Sequence, residues 1–253
     1  MTMPKRSKIK EAKAKIKDLF SRMDDVMVLH YSCESFDKEA TPRITCICVG
    51  RLNSGVSNPF DFQDIADQRF SPEEELRMLA RFLNFARENS SKTWILWKGD
   101  SNKYGFSAIV DRFEHLRSTL PREERGAFIK PTLNLLSVTS LLRKIYGEDS
   151  LSDGDHGALR MMARKNGLRI NDMAAGLEEP ELFRAGRLLV LRRSVEQKVQ
   201  SIKDLLWRAY DGDIRMTGRV DPMGWRVVTS WLLNVIWSVL GRQARKQLPP
   251  SDL

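Results

Sequence analysis

Two short apolar runs near the start of the sequence constrain the fold more than any other feature. The first spans Val26 to Ser32 and the second spans Arg43 to Val49, with a turn over residues 37–42 between them. Both runs carry little polar interruption, whereas a strand with one solvated face alternates between apolar and polar residues. We therefore predict two central strands that are covered on both faces.

Further strands and helices follow in an order that is typical of α/β domains. A weaker extended segment lies near residues 60–62, and Ser71-Pro72-Glu73-Glu74 has the pattern of a capping box that begins a helix. Another apolar strand is predicted at 93–97, and helices at 102–116, 133–146, 155–165 and 194–210. Three consecutive strands can form a meander, which the later strand joins through a crossover. The predicted fold class is α/β, with a mixed sheet of four or five strands, helices on both faces and a helical C-terminal region.

Composition and periodicity divide the chain into four predicted segments. A basic amphipathic helix occupies residues 1–24 and the α/β domain occupies 25–170. A helical extension covers 171–220, and an amphipathic helix covers 225–246. The first helix is interpreted as a solvated cap on the domain, with an electrostatic arm for nucleic acid or lipid as the alternative.

Charge and cysteine content indicate the kind of partner and the compartment. The chain has 42 Lys and Arg against 33 Asp and Glu, and this excess favours an anionic partner such as nucleic acid, a membrane face or an acidic protein. Cys33, Cys46 and Cys48 are odd in number and lie in strand-like segments, which is typical of free thiols in a reducing compartment. The first residues lack the apolar stretch of a signal peptide, so a cytoplasmic location is predicted.

Two segments carry a family resemblance. Residues 28–36 read Val-Leu-His-Tyr-Ser-Cys-Glu-Ser-Phe, and residues 94–106 read Trp-Ile-Leu-Trp-Lys-Gly-Asp-Ser-Asn-Lys-Tyr-Gly-Phe. With the element order, they resemble the RNase H-like fold, and specifically the DnaQ-like 3′–5′ exonucleases, over about residues 25–170. The chain also looks like a set of bacterial proteins with Asn-x-Tyr-Gly-Phe at a helix start after a tryptophan-rich strand.

The resemblance implies a two-metal nuclease site from which this sequence departs. The family carries Asp-x-Glu on its first strand and an Asn followed by Phe-Asp at a later helix start. Its final helix carries His or Tyr and a last Asp, and its four carboxylates bind two metal ions. Here Glu34 matches the Glu, but Ser32 replaces the Asp. Tyr104-Gly105 stands in place of Phe-Asp, and the residue five after His156 is Met161.

These departures favour a catalytically degenerate module without a cofactor that binds nucleic acid or acts as a scaffold. The alternative is an active metal-dependent nuclease with altered ligands. Its candidate catalytic residues are Glu34 and Asp100, which lies near the end of the strand at 93–97, and its cofactor would be Mg²⁺ or Mn²⁺. Asp100 is equally suited to cap the helix that follows.

The segment around residue 100 also contains candidate contacts to nucleic acid. Lys98 and Lys103 are interleaved with Trp94, Trp97 and Tyr104, a pattern in which aromatic rings stack on bases and cations bind phosphates. Lys98, Lys103 and Arg112 are therefore predicted to contact nucleic acid. In the alternative interpretation the two tryptophans pack in the core and the lysines are solvated.

The C-terminal helix carries a docking prediction. Residues 227–241 contain no charge, but this run is shorter than the roughly 20 apolar residues that a spanning helix needs. Trp225, Trp231 and Trp237 are candidate anchors for docking to the domain, to a partner helix, to a second copy or to a membrane interface. The third function hypothesis is therefore an interaction protein that docks through this helix. If the helix docks to a lipid membrane, the protein is expected at the inner membrane face.

Overall fold

The structure is a computed structural model, and it describes residues 6–34, 41–55, 57–62, 70–152 and 157–219. Its centre is a five-stranded mixed sheet, which confirms the predicted α/β fold class. The strands are β1 (Val26–Cys33), β2 (Ile44–Arg51), β3 (Ser57–Phe60), β4 (Thr93–Leu96) and β5 (Asn134–Ser137).

The strand order is β3-β2-β1-β4-β5, and it combines the predicted meander with a crossover. β1 pairs antiparallel to β2, and β2 pairs antiparallel to β3. β4 pairs parallel to β1, and β5 pairs parallel to β4. The carboxyl ends of β1, β4 and β5 therefore meet at one edge of the sheet, where ligand sites of α/β folds tend to form.

Seven α-helices are described around this sheet. They are α1 (Arg6–Ser21), α2 (Pro72–Glu88), α3 (Phe106–Thr119), α4 (Val138–Tyr146), α5 (Ala158–Lys165), α6 (Glu179–Arg184) and α7 (Leu188–Asp211). The predicted capping box begins α2: the Ser71 hydroxyl accepts from the Glu74 amide at 3.3 Å, and the Glu74 carboxylate accepts from the Ser71 amide at 3.4 Å. Each bond satisfies a backbone donor that the first turn leaves without a partner.

Alternation along the strands gives each face of the sheet its own helical layer. Trp94 and Phe60 meet α2, where the Phe60 ring lies 5.5 Å from the Phe82 ring and the Trp94 ring lies 6.4 Å from it. Neighbouring strand residues such as Val28 and His30 point to the opposite face. α7 packs on β1 and β2, and α6 packs on β1.

The first helix and the helical extension share the core of the α/β domain. Val199, Ile202 and Leu206 on α7 are fully buried and belong to the same apolar cluster as the strands. α1 packs against α4 and α7, and its Phe20 ring lies 4.4 Å from the Trp207 ring. Helix α1 therefore buries the apolar stripe predicted from its sequence and leaves most of its lysines exposed.

Two predicted helices begin four or five residues later than the sequence indicates. Residues 134–137 form β5, so the predicted helix at 133–146 is a strand followed by α4. The Ser137 hydroxyl accepts from the Ser140 amide at 3.3 Å, which marks the true start of α4. The helix predicted at 102–116 begins at Phe106, because residues 97–105 form a tight loop.

Among the described residues, no helix combines the length and the apolar composition needed to cross a membrane. The predicted helix at 225–246 lies outside the described residues, and so do its candidate anchors Trp225, Trp231 and Trp237.

Candidate functional site

A pocket of about 220 Å³ opens at the carboxyl ends of β1 and β4. β1 supplies residues 29–33, β4 and the loop after it supply residues 96–98 and 104, and the start of α5 supplies residues 157–160. Ala174, Gly176, Glu179 and Lys198 close it from the side of α6 and α7. Among the described residues, the lining contains three cations, Lys98, Arg160 and Lys198, and one carboxylate, Glu179.

The pocket entrance, which we call the rim, includes Tyr104, Gly157 and Gly176. The position of Tyr104 depends on a tight loop between β4 and α3. The Gly105 amide donates to the Ser101 carbonyl oxygen at 2.7 Å, and a Cβ at Gly105 would collide with that oxygen, so only glycine fits. This turn leaves the Tyr104 side chain 47% exposed, and the Lys98 Nζ lies 5.7 Å from the Tyr104 ring centroid. An accessible aromatic face and a cation are thus held together at the pocket entrance.

The interior contains a buried ion pair that joins α6 to α7. The Lys198 Nζ lies 2.7 Å from Glu179 Oε1, and both side chains are less than a tenth exposed. The Ser194 hydroxyl donates to the same carboxylate oxygen at 2.8 Å and accepts from the Ala174 amide at 3.1 Å. The pair contributes hydrogen-bonding groups to the pocket without adding net charge.

Two polar side chains of the lining have unused hydrogen-bonding capacity. The His30 imidazole makes no hydrogen bond to any described residue, although its ring lies in the pocket wall. The Trp97 Nε1 is buried and donates to no atom of the described residues. A buried donor without an acceptor costs about 1–3 kcal/mol, so the Trp97 Nε1 favours a ligand that can accept from it.

Burial favours the neutral forms of three titratable groups in the pocket wall, His30, Cys33 and Tyr31. Desolvation, together with the nearby Lys198 charge, holds the pKa of His30 well below its usual value. Desolvation and the nearby Glu179 carboxylate raise the pKa of the Cys33 thiol to about 12. Desolvation also raises the pKa of Tyr31 well above its usual value. The thiol is therefore protonated at neutral pH, and the wall offers neutral donors and acceptors rather than a thiolate nucleophile.

Neither predicted catalytic carboxylate lines the pocket. The Glu34 carboxylate lies 4.0 Å from the Arg43 guanidinium, and the Glu34 amide donates to the Arg43 carbonyl oxygen at 2.9 Å. Asp100 accepts from the Ser140 hydroxyl at 2.8 Å, beside the start of α4. Partial burial raises the pKa of Asp100, but hydrogen bonds from Ser137 and Ser140 outweigh it and leave the pKa lowered.

The two carboxylates therefore belong to different local networks. Within the described ranges, no three His, Cys, Asp or Glu side chains converge as a group that could hold a metal ion. Ser32 lines the pocket and accepts from the Thr45 hydroxyl at 3.0 Å.

The three predicted nucleic-acid contacts have different surroundings. Lys98 lines the pocket, and Lys103 is exposed in the loop next to Tyr104. Arg112 is buried: its Nε and Nη2 donate to Glu75 at 2.9 and 2.7 Å, and its Nη1 donates to the Thr41 carbonyl oxygen at 2.7 Å. We therefore correct the prediction for Arg112, because its guanidinium is engaged inside the protein and does not face a phosphate.

Sequence reasoning missed His30, Arg160, Glu179 and Lys198 as pocket residues. A signal for Lys198 was present, because it lies three residues after Val195 and four before Ile202, within the apolar stripe of α7. A cation on a buried stripe requires a partner, and Glu179 supplies it. No local pattern indicated that α6 and α7 would bring this pair to the carboxyl end of β1.

Comparisons with known proteins assign no family to the chain. No model of a protein family matches the sequence, and neither the search of curated proteins nor the search of solved structures returned a match. The site is therefore interpreted from its own residues.

Proposed function

We propose that this chain is a nucleic-acid-binding module built on a catalytically degenerate exonuclease-like sheet, and that single-stranded nucleic acid binds at the pocket rim. The observation that carries the proposal is the half-exposed Tyr104 ring beside the Lys98 ammonium group, with Arg160 lining the same pocket. Aromatic faces stack on bases of any sequence, and cations bind the phosphates between them. The rim offers both kinds of contact at one place.

Two further observations support the proposed relation to the RNase H-like fold. A meander followed by a parallel crossover strand is the element order on which the resemblance rests. Ser32 lies in the pocket wall, at the position where an active relative would carry its first carboxylate. A hydroxyl in place of the carboxylate supports a site that keeps the shape of the pocket but binds nucleic acid instead of metal ions.

The rim proposal is tested by fluorescence anisotropy with a labelled single-stranded oligonucleotide of mixed sequence over a series of salt concentrations. The double variant Lys98→Gln/Arg160→Gln is expected to bind more weakly, with a salt slope reduced by about 0.7 for each lost phosphate contact. Lys130→Gln removes an exposed charge outside the pocket and is the matched control. An unchanged slope in the double variant would show that these cations do not meet phosphate.

The stacking contact is tested separately at Tyr104. Tyr104→Ala is expected to weaken binding by about 1–3 kcal/mol, because it removes the ring on which a base stacks. Tyr104→Phe keeps the ring and is expected to bind as the wild type does. Equal affinities for the Ala and Phe variants would contradict stacking at this residue.

The nuclease alternative remains a prediction, and metal binding tests it. Calorimetry with Mn²⁺ on the wild type and Glu34→Gln is the measurement. Micromolar binding that the substitution abolishes would restore Glu34 to a catalytic role, with Mg²⁺ or Mn²⁺ as the cofactor. Retained binding would place the ion elsewhere, and an absence of binding would leave the binding module as the better proposal.

The proposal also includes the cellular location of the chain and its docking to a larger partner. The three cysteines Cys33, Cys46 and Cys48 are free, which supports a reducing compartment such as the cytoplasm. Docking through residues 225–246 to a membrane, a partner helix or a second copy remains a prediction. Truncation after Pro222, followed by vesicle co-sedimentation and light scattering, tests it. Unchanged sedimentation and mass would remove this segment from consideration.

A further inference from the structure

The interior of the pocket differs chemically from its rim. The rim residues Tyr104, Gly157 and Gly176 are exposed, whereas Leu29, Leu96 and Leu159 inside are almost fully buried. Apolar walls favour the faces of a ring system over a charged group, because a desolvated charge without a partner is costly. A flat, uncharged group is therefore the natural occupant of the interior.

The size of the pocket limits how much of a ligand enters. Its volume is about 220 Å³, whereas pockets for drug-sized ligands span roughly 300–1,000 Å³. One heterocyclic ring system fits this space, while a sugar and its phosphate would remain outside. Lys98 and Arg160 line the same pocket and are both partly exposed, so they can meet a phosphate at the entrance.

The polar groups of the interior suit a neutral heterocycle. Glu179 is compensated by Lys198, so the pair adds no net positive charge that could balance a phosphate placed inside. His30 is held neutral by burial and presents one donor and one acceptor. The Trp97 Nε1 is a further donor without an acceptor in the described chain. The edge of a nucleobase offers matching acceptors and donors.

We propose that one unpaired nucleobase enters this pocket and pairs with His30, while the phosphate attached to it stays at the rim beside Lys98 and Arg160. This inference rests on the proposed function and adds to it the class of group that the pocket recognises. Base and phosphate can come from a single-stranded nucleic acid or from a free nucleoside monophosphate. The same chemistry recognises both sources, so the test must separate them.

The first arm compares two labelled oligonucleotides of equal length by anisotropy, one with bases and one with abasic residues throughout. The full chain is expected to bind the base-containing strand at least tenfold more tightly. His30→Leu removes the hydrogen-bonding edge, and Gly176→Phe narrows the entrance at a position where an added Cβ meets no atom within 4 Å. Both variants are expected to reduce this preference to the part that stacking on Tyr104 supplies, and to keep the affinity for the abasic strand.

Gly55→Phe is the matched control, because Gly55 also leaves open space around an added Cβ and does not line the pocket. It is expected to keep the tenfold preference. Equal wild-type affinity for the two strands would overturn the pocket proposal and leave phosphate binding at the rim intact. A preference that only Tyr104→Ala removes would place the base on the rim and would likewise overturn it.

The second arm titrates free nucleoside monophosphates by calorimetry. If the wild type binds neither strand, the proposed function fails. Monophosphate binding that Gly176→Phe removes and Gly55→Phe retains would then still support the base pocket, with a free nucleotide as its ligand. If neither strands nor monophosphates bind the wild type, the pocket proposal fails as well.

Discussion

Two buried carboxylates, Glu75 and Glu179, meet cations in opposite helical layers, and their surroundings differ. Glu75 accepts from Arg112 at 2.9 and 2.7 Å and from the Ile44 amide at 2.8 Å, and its side chain is fully buried. Glu179 makes one ion pair at 2.7 Å and accepts one hydroxyl bond at 2.8 Å, and it lines the pocket. We call the Glu75–Arg112 pair the closed pair, because both side chains are buried inside the fold. The Glu179–Lys198 pair faces the cavity and is called the pocket pair.

The difference separates a structural pair from a pair that is suited to recognition. Through Arg112, the closed pair also holds the Thr41 carbonyl oxygen and so ties the start of β2 to α2 and α3. A buried network with every group satisfied rigidifies the fold around it. Groups that face a pocket can exchange water for a ligand. Four predictions test this comparison.

Breaking the closed pair should have the largest effect. Arg112→Met leaves the Glu75 carboxylate buried without its main partner, and this is expected to lower the free energy of unfolding by about 3–5 kcal/mol. Urea denaturation followed by circular dichroism measures the loss. The double variant Glu75→Leu/Arg112→Met removes the orphaned charge and should recover part of the stability. A loss below about 1 kcal/mol in the single variant would contradict a closed structural pair.

Breaking the pocket pair should cost less. Lys198→Met is expected to lower the free energy of unfolding by about 1–3 kcal/mol, because Glu179 keeps its bond from Ser194 and water can reach it through the pocket. The same denaturation experiment applies. If the loss equals that of Arg112→Met, the two pairs are energetically alike and the comparison fails.

The pocket should also make stability depend on pH through His30. Because the pKa of His30 is lowered in the folded state, the unfolded chain binds a proton first as the pH falls below the ordinary histidine value of about 6.5. His30 therefore contributes its full share to the free energy of unfolding above about pH 6.5. Below that pH, the free energy of unfolding should fall by up to about 1.4 kcal/mol per pH unit.

His30→Leu is expected to flatten this dependence in urea denaturation between neutral and mildly acidic pH. His115→Gln replaces an exposed histidine on α3 and is the control, which should leave the dependence on pH as it is in the wild type. An equal flattening by both variants would show that burial of His30 is not its cause.

Breaking a solvent-exposed ion pair should give the smallest loss in the free energy of unfolding. Arg22 and Asp18 lie 2.8 Å apart at the end of α1, and both side chains are more than a third exposed. Arg22→Met is expected to cost only about 0.2–1 kcal/mol, because water screens the charges and the side chains lose entropy on pairing. Guanidinium denaturation, which also screens charge, should reduce the difference further. A loss comparable to that of Lys198→Met would show that burial does not set the order of these effects.

The central part of the fold could be predicted from local sequence. The apolar runs at Val26 and Arg43 became β1 and β2, and the capping box at Ser71 became the start of α2. β5 could not be predicted, because Asn134-Leu135-Leu136-Ser137 has no β-branched residue and its leucines also fit a helix. Pairing with β4 makes this segment a strand, and that partner lies about forty positions earlier in the chain.

The candidate site was predictable only in part. Lys98 and Tyr104 were singled out because aromatic and cationic residues alternate there, and both line the pocket. Arg112 was misplaced, because a charged residue on a helix is usually exposed unless it has a partner, and its partner Glu75 lies on another helix. A single sequence carries no record of such a pairing.

The sequence by itself determined β1, β2, β4, the start of α2 and the excess of positive charge, because periodicity, capping and composition act over a few neighbouring residues. Only the tertiary structure decided which charged residues are buried and which polar groups share a pocket. The meeting of His30 with Glu179 and Lys198 requires α6 and α7 to fold onto β1, some 150 residues away along the chain. Long-range packing, which no local pattern encodes, creates this part of the site.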